Sequence, residues 1–221
     1  MKRILFLGST GFLGSAIYKN IKKDYKIIQI NYKKKSKNKI ILKDIKRKLT
    51  LIEKFKPNII IDFAWYGIPH FTLKNSIKNI KDKIYFYDLI LKIKSIKKII
   101  IAGSCLEYMN RNTVCFENDN VSNDNYLNWA KLSIKNYISN KCKLQKINLI
   151  WLRIFYAYGE GQRNKSLIPY IINSINSNKL PKIKNMNHEN DFIHKNDISA
   201  LIKKILIKKI KSGVYNVGTG K

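Results

Sequence analysis

Residues 8–14 read Gly8-Ser9-Thr10-Gly11-Phe12-Leu13-Gly14, and they stand between an apolar run, residues 4–7, and a segment with apolar residues at helical spacing, residues 13–23. This order predicts a strand buried on both faces, a tight turn and a helix. In such a turn the first glycine permits the bend, the second lets backbone approach a pyrophosphate, and the third lets helix and strand pack closely. The helix N-terminus then stabilises phosphate charge. The pattern predicts a dinucleotide-binding site.

Strands and helices alternate along the rest of the chain. Further strands are predicted at residues 26–32, 58–63, 98–102, 147–154 and 214–217. Further helices are predicted at residues 46–55, 73–94, 129–140, 167–177 and 198–208. This alternation predicts the α/β class, with a doubly wound parallel sheet covered by helices on both faces.

Length and composition exclude several classes of protein. The 221 residues suit one domain, and 45% hydrophobic with 26% charged residues is ordinary globular usage, which excludes collagen-like and disordered chains. No apolar run approaches the roughly 20 residues of a membrane span. Three cysteines without metal-ligand spacing favour a reduced, cytoplasmic protein and give no metal site.

The formal net charge of +30 raises the question of a nucleic-acid partner. Lysine supplies 39 of the 44 basic residues, and the lysines are spread over nearly every predicted helix and turn. A site for phosphates favours the planar, bidentate guanidinium of arginine. We interpret the lysines as a solvated surface, typical of an A/T-rich coding composition. The prediction is weak, salt-sensitive adhesion to nucleic acid, with no specific nucleic-acid partner and no membrane partner.

Several segments in the same order carry a resemblance to a known family. The spacing in residues 8–14 is similar to that of short-chain dehydrogenases/reductases. The chain resembles their extended branch, the NAD-dependent epimerase/dehydratase family, which acts on nucleotide sugars. The segments that carry this resemblance are Asp44-Ile45, residues 61–65 (IDFAW), Asn79-Ile80, residues 103–108 (GSCLEY), 152–162 (LRIFYAYGEGQ), 191–197 (DFIHKND) and 213–218 (GVYNVG).

The resemblance covers essentially the whole chain and implies its organisation. It implies one NAD(P)-binding domain over residues 1–221, with a Rossmann-type core in residues 1–155. Residues 156–221 form a partial substrate-binding region interleaved with the last strands. The family continues beyond the position of Lys221. The small C-terminal substrate-binding part is therefore expected to be truncated, or to be completed by a partner chain, and a homodimer is compatible with this expectation.

The resemblance also implies a cofactor site for NADP or NAD and the residues that form it. By this resemblance we expect Asp44-Ile45 beside the adenine ring, Asn79 on the central helix, and Ser104 in the place of the catalytic serine or threonine. The predicted cofactor-binding residues are Gly8, Thr10, Gly11, Phe12, Leu13, Gly14, Lys33, Asp44, Ile45, Ala64, Asn79 and Lys131, of which Lys33 is assigned from its charge.

The catalytic tyrosine of the family is missing at its expected position. The family uses a tyrosine four residues before a lysine on one helix, where the two side chains are about 40° apart and the ammonium lowers the phenol pKa. Lys131 fits the lysine, but Leu127 stands four residues before it. Tyr126 is about 140° from Lys131 around a regular helix and serves as the acid or base only if the helix start is irregular. The implied catalytic set is Ser104, Lys131 and Tyr126.

Two further departures from the family lie on the substrate side. Asn190 stands where the family commonly has an arginine that contacts the nucleotide, and Tyr156 replaces an asparagine. The first hypothesis is a nucleotide-sugar epimerase, dehydratase or 4-keto reductase that transfers hydride at a sugar carbon. The alternative is a catalytically degenerate NAD(P)-binding relative with a regulatory or assembly role. A nucleic-acid-binding protein is the third hypothesis.

The end of the second predicted strand bears on the choice of cofactor. A carboxylate there selects NAD because it binds the adenosine ribose, but the strand ends at Ile30-Asn31-Tyr32 with no acid nearby. Lys33, Lys34 and Lys35 follow, and their charges suit the 2′-phosphate of NADP. We predict a preference for NADP(H); the alternative is that these lysines belong to the solvated background.

Overall fold

The computed structural model describes residues 2–32, 39–109, 113–183, 185–187 and 189–220. Strands and helices alternate through this part of the chain. The strands are β1 (Arg3–Leu7), β2 (Lys26–Asn31), β3 (Lys39–Ile41), β4 (Ile59–Asp62), β5 (Lys98–Ala102), β6 (Asn148–Ile154), β7 (Tyr156–Tyr158), β8 (Phe192–His194) and β9 (Gly213–Val217). The helices are α1 (Phe12–Ile21), α2 (Leu49–Phe55), α3 (Leu73–Ile90), α4 (Tyr126–Leu144), α5 (Leu167–Asn176) and α6 (Lys195–Ile207).

Seven of these strands form one parallel sheet in the order β3-β2-β1-β4-β5-β6-β9. In β1, Ile4 pairs with Ile27 on one side and with Ile59 on the other. The chain runs outward from β1 in one direction and then from β4 in the other. The order therefore reverses between β1 and β4, where an open sheet of this type forms its ligand crevice. This topology confirms the predicted Rossmann-type doubly wound parallel sheet.

Helices cover both faces of the sheet. Side chains of α2, α3 and α4, among them Phe86 and Ile134, form a core with one face. Side chains of α1 and α6, among them Ile17 and Ile202, form a core with the other face. The central strands are buried on both sides, which explains why their sequences are nearly continuous apolar runs. Within the described residues, no helix is long and apolar enough to cross a membrane.

Several element boundaries differ from the predicted ones. The helix predicted at residues 46–55 begins with a 3-10 turn, and its α-helical part starts at Leu49. Helices α4 and α6 begin three residues earlier than predicted, because the side chains of Asn125 and His194 cap them. Strands β3, β7 and β8 are each three residues long, which is too short for an apolar pattern in the sequence to reveal them.

Candidate active site

A cavity of about 710 Å³ opens at the carboxyl ends of the central strands. The glycine turn after β1 forms one wall, and the ends of β2, β4, β5 and β6 form others. The start of α4 and the loop after β7 close the remaining sides. The cavity therefore occupies the switch point at which doubly wound sheets bind their ligands.

The glycine turn brings three backbone segments close together. Gly8 has a φ of +80°, and a Cβ on it would stand 2.6 Å from the backbone nitrogen of Ala64. A Cβ on Gly14 would overlap the carbonyl oxygen of Gly8. The Gly11 N–H donates to the same oxygen at 3.0 Å, and α1 begins at the next residue. The turn leaves backbone and a helix N-terminus facing the cavity, which suits a pyrophosphate.

The end of β2 offers a polar group to a ligand. Asn31 lines the cavity and is only 6% exposed, and its Oδ1 accepts from the Thr10 hydroxyl at 3.3 Å. Its Nδ2 is buried and has no hydrogen-bond partner among the described residues. A buried donor without a partner is costly, so this amide fits an acceptor oxygen on a bound molecule. The glycine turn and Asn31 together fit the adenosine and pyrophosphate parts of a dinucleotide.

Lys131 reaches the cavity from the second turn of α4. Its Nζ donates to the carbonyl oxygen of Ala102 at 3.0 Å and lies 4.2 Å from the centre of the Trp65 ring. The residue is 7% exposed. Burial, with a smaller contribution from the charge of Lys83, lowers its pKa from the ordinary 10.5 to about 8, although Glu107 and Asp62 oppose the shift. The amine and the ammonium are both accessible near neutral pH.

Ser104 is held at the end of β5 by the first turn of a short 3-10 helix. Its N–H donates to Oε1 of Glu107 at 2.8 Å, and its Oγ accepts from the Leu106 N–H at 3.2 Å. Glu107 is fully buried and accepts from Trp151 Nε1 at 3.0 Å and Arg153 Nε at 3.2 Å. This network fixes the serine backbone. Because Oγ acts as an acceptor in these contacts, its hydrogen remains suited to a bound oxygen.

A buried ion pair supports the floor of the cavity at the end of β4. Asp62 pairs with Lys83 of α3, and Lys83 also lines the cavity. The Tyr87 hydroxyl donates to Oδ2 of Asp62 at 3.0 Å, and the Ala64 N–H donates to Oδ1 at 3.1 Å. Burial, followed by the charge of Asp62, raises the pKa of Tyr87 well above its usual value. The network ties α3 to the strand end that carries Ala64.

The structure brings most of the predicted site residues to this one cavity. Those that line it are Gly8, Thr10, Gly11, Phe12, Leu13, Gly14, Ala64, Ser104 and Lys131. Lys33, with Lys34 and Lys35, lies outside the described residues. The four that do not line the cavity are Asp44, Ile45, Asn79 and Tyr126.

Tyr126 lies outside the cavity because the first turn of α4 is a regular helical turn. The Asn125 side chain caps the helix by accepting from the Asn128 N–H, and the Trp129 N–H donates to the Asn125 carbonyl at 2.9 Å, as in an ordinary first turn. Leu127 is 4% exposed and lines the cavity, whereas Tyr126 is 49% exposed. The irregular helix start that the Tyr126 hypothesis requires is not present, so the structure does not support Tyr126 as the acid or base.

The other three residues act at a distance from the cavity or pack in the core. Asn79 holds the backbone of Tyr66, a cavity residue: its Oδ1 accepts from the Tyr66 N–H at 2.9 Å, and its Nδ2 donates to the Tyr66 carbonyl at 3.0 Å. Ile45 is fully buried in the core. Asp44 is partly buried in the same turn, and the nearby Leu42 lines the cavity in their place.

Among the cavity residues that sequence reasoning did not assign are Asn31, Tyr32, Trp65, Lys83 and Arg163. For Asn31, Tyr32 and Trp65 the sequence held a signal, because they lie at or just after the ends of predicted strands, where ligand contacts occur. The signal for Lys83 was its position one helical turn after Asn79. Of the two cations in this set, Lys83 is already paired with Asp62, and Arg163 supplies a guanidinium that suits a diphosphate.

The parallel sheet, the glycine turn and the cavity at its switch point define a dinucleotide-binding protein. The profile of the NAD-dependent epimerase/dehydratase family matches residues 4–218, nearly the whole chain. The chain belongs to the NAD-dependent epimerase/dehydratase family, and its cofactor is a nicotinamide dinucleotide.

Individual relatives and solved structures agree with this assignment. The ADP-L-glycero-D-manno-heptose-6-epimerase of Brachyspira hyodysenteriae (strain ATCC 49526 / WA1) is 29% identical over 98% of this chain and 76% of its own. A UDP-N-acetylglucosamine 4-epimerase from Methanobrevibacter ruminantium M1, solved with UDP-N-acetylmuramic acid, superposes with a TM-score of 0.85 at 24% identity, over 100% of this chain and 77% of its own. A dTDP-glucose 4,6-dehydratase from Bacillus anthracis str. Ames in complex with NAD superposes with a TM-score of 0.83 at 20% identity, over 100% of this chain and 76% of its own. At these identities the two solved structures are evidence of the fold.

Proposed function

We propose that this protein catalyses a hydride transfer at one carbon of a nucleotide sugar with a nicotinamide dinucleotide, as an epimerase, dehydratase or 4-keto reductase. The observation that carries the proposal is that Ser104 and Lys131 line the same cavity as the glycine turn. A hydrogen-bond donor and a proton-exchanging amine thus stand beside the place where the dinucleotide fits.

The residues of the cavity divide the work between binding and chemistry. The glycine turn and the N-terminus of α1 receive the cofactor pyrophosphate, and Asn31 receives an oxygen of its adenosine part. The bound nicotinamide supplies the hydride acceptor or donor. The Ser104 hydroxyl donates to the sugar oxygen that gains charge as its carbon changes between alcohol and carbonyl. Arg163 favours the anionic diphosphate of the sugar nucleotide.

A second candidate function is a non-catalytic cofactor-binding protein with a regulatory or assembly role. Leu127 in the cavity and Tyr126 outside it favour this alternative, because the usual tyrosine is absent from the catalytic position. The two candidates share the cofactor site and differ only in turnover.

The first prediction separates these candidates by turnover. The purified protein is offered NAD, NADP and their reduced forms with a panel of UDP-, dTDP- and ADP-linked sugars and 4-keto sugars. We expect a change in nicotinamide absorbance, or an epimerised product detected by NMR, with at least one sugar. Ser104→Ala is expected to lower kcat about 10²-fold or more, as the loss of one oxyanion donor does.

Ser177→Ala is the matched control, since Ser177 is exposed at the end of α5 and lies outside the cavity. It is expected to leave kcat unchanged. Calorimetry that shows cofactor binding, together with no turnover on any sugar of the panel, would contradict the proposed enzymatic function. It would support the non-catalytic candidate.

A second prediction concerns the choice between NADP(H) and NAD(H). We propose that Lys33, Lys34 and Lys35 read the 2′-phosphate, because they follow Asn31 at the end of β2 and no carboxylate stands there. Their joint replacement by alanine is expected to weaken NADP(H) binding about tenfold, or about 1.4 kcal/mol, with little effect on NAD(H). The preference should fall with added salt, because salt screens the attraction between lysine and phosphate charges that water reaches.

The control for this prediction is the triple variant Lys46→Ala, Arg47→Ala and Lys48→Ala, which removes three exposed basic residues outside the cavity. It is expected to leave both affinities within about twofold. Equal losses for the two cofactors in the Lys33–Lys35 variant, measured by calorimetry, would show that these lysines do not read the 2′ position.

A further inference from the structure

We propose that the side-chain amine of Lys131 itself takes up and returns the proton of the sugar hydroxyl in this protein. The inference rests on the proposed function, because it assigns the proton transfer within the same cavity. It gives Lys131 a role beyond that of a cation placed to tune a neighbouring phenol.

Helix α4 turns Leu127 and Lys131 toward the cavity and Tyr126 away from it. Leu127 and Lys131 are one turn apart, so both project into the cavity, and Leu127 has no exchangeable proton. The hydroxyl-bearing neighbour, Tyr126, projects away and does not line the cavity. Leu127 therefore contributes only apolar surface to the cavity wall. The next side chain on the same face of the helix that can exchange a proton is Lys131.

The contacts of Nζ are the second argument. A neutral amine has two N–H groups and one lone pair, and the carbonyl of Ala102 uses one N–H at 3.0 Å. The lone pair then remains to accept a proton. The face of Trp65, 4.2 Å from Nζ, stabilises the ammonium that results. Both protonation states thus have a partner in the same position.

Three charged groups in the described part of the chain influence the pKa of the Lys131 amine. They are Glu107 after β5, Asp62 at the end of β4 and Lys83 on α3. Each carboxylate is already paired, Asp62 with Lys83 and Glu107 with Arg153, so neither is dedicated to the Lys131 ammonium. Burial is the dominant influence, and it lowers the pKa of Lys131 to about 8.

The chemical step balances with the cofactor of the family. In the oxidation, the O–H bond of the sugar hydroxyl breaks and its proton forms a new N–H bond on neutral Lys131. The hydrogen on the same carbon leaves as hydride to the oxidised nicotinamide, so the carbon becomes a carbonyl. In the reduction, the ammonium returns the proton to the carbonyl oxygen as hydride arrives at the carbon.

The protonation states fix the sign of the pH dependence. Oxidation requires the neutral amine, so its rate is expected to rise with pH and to level off above the Lys131 pKa of about 8. Reduction requires the ammonium and is expected to fall over the same range.

The test combines kinetics with a measurement that needs no turnover. Lys131→Arg keeps the charge but cannot release its proton near neutral pH, and Lys131→Ala leaves space for a small amine. We expect both variants to lose about 10²- to 10⁴-fold in kcat, measured at saturating cofactor. Added methylamine is expected to restore part of the activity of Lys131→Ala as the free amine, increasingly at high pH.

Competitive acetylation read by mass spectrometry reports the Lys131 pKa in the protein without cofactor, and we expect it near the value of about 8. Lys135→Met is the matched control: Lys135 lies one turn further along α4 and outside this cavity, and its loss is expected to leave kcat unchanged.

Three results would overturn the inference. They are a Lys131→Arg variant within tenfold of wild-type kcat with an unchanged pH profile, an acetylation pKa near the ordinary 10.5, and no rescue of Lys131→Ala by any amine. A wild type that is active alongside an active Lys131→Arg variant overturns this inference alone. A wild type that is silent on every sugar overturns the proposed function and the inference with it.

Discussion

Gly14→Ala is expected to weaken the binding of NAD and NADP about a hundredfold or more, which corresponds to about 2.7 kcal/mol. The Cβ of an alanine at this position would overlap the carbonyl oxygen of Gly8 and approach its carbonyl carbon to 2.8 Å. Both atoms belong to backbone, and neither can swing aside as a flexible side chain can. Helix α1 must then separate from the turn, and the N–H groups that face the pyrophosphate lose their positions.

Gly213→Ala is the matched control for this glycine. A Cβ there would meet the ring of Tyr215 at 3.4 Å or more, which is ordinary van der Waals contact, and Gly213 lies outside the cavity. Calorimetric titration with both cofactors, accompanied by a melting curve, checks the prediction. Cofactor affinities within threefold of wild type in a folded Gly14→Ala protein would contradict the assignment of the turn.

Lys83→Met is expected to lower the free energy of unfolding by about 3–5 kcal/mol, the range for breaking a buried ion pair. The substitution leaves the Asp62 carboxylate buried, with the Tyr87 hydroxyl and the Ala64 N–H as its remaining donors. Because the Ala64 N–H is one of those donors, movement of Asp62 also disturbs the cavity wall. We therefore expect weaker cofactor binding together with the lower stability.

Lys78→Met provides the matched control on the same helix. Lys78 pairs with Asp82 at 2.9 Å, but its side chain is 43% exposed, and an exposed pair contributes about 1 kcal/mol or less. The double variant Asp62→Asn with Lys83→Met is expected to recover part of the loss, because no unpaired charge then stays buried. Urea denaturation measures all three variants. Equal losses of unfolding free energy for Lys83→Met and Lys78→Met would show that the buried pair stabilises the fold no more than the exposed one.

The cofactor side of the cavity could be predicted from the sequence because its chemistry is local. The glycines of residues 8–14 stand within one turn, and Ser104 and Ala64 directly follow apolar runs that form strands. Carboxyl ends of parallel strands meet at one edge of a sheet, so these groups converge whatever the details of packing. Eight of the nine predicted site residues that line the cavity do so for this reason, and the ninth, Lys131, reaches it from α4.

The role of Tyr126 was beyond local reasoning, because it depends on where a helix begins. One residue along an α-helix turns the side chain by about 100°, so the choice between Tyr126 and Leu127 follows from the cap at Asn125. That cap and the packing of α4 against α3 and the sheet direct Leu127 inward. The sequence showed that Leu127, and not Tyr126, stands four residues before Lys131. The regular start of α4 in the structure then places Leu127 in the cavity and Tyr126 outside it.

The sequence by itself determined the α/β class, the glycine turn, and the positions of Ser104 and Lys131, since periodicity and turn chemistry act over a few residues. Only the tertiary structure decided that Lys83 of α3 pairs with Asp62 of β4, and that Lys131 is buried against Trp65. It also decided that Nδ2 of Asn31, in the cavity wall, has no hydrogen-bond partner among the described residues. Each lysine is far from its partner in the chain, and the packing of α3 and α4 on the sheet brings them together. Burial and charge, which set the properties of the Lys131 amine, exist only after that assembly.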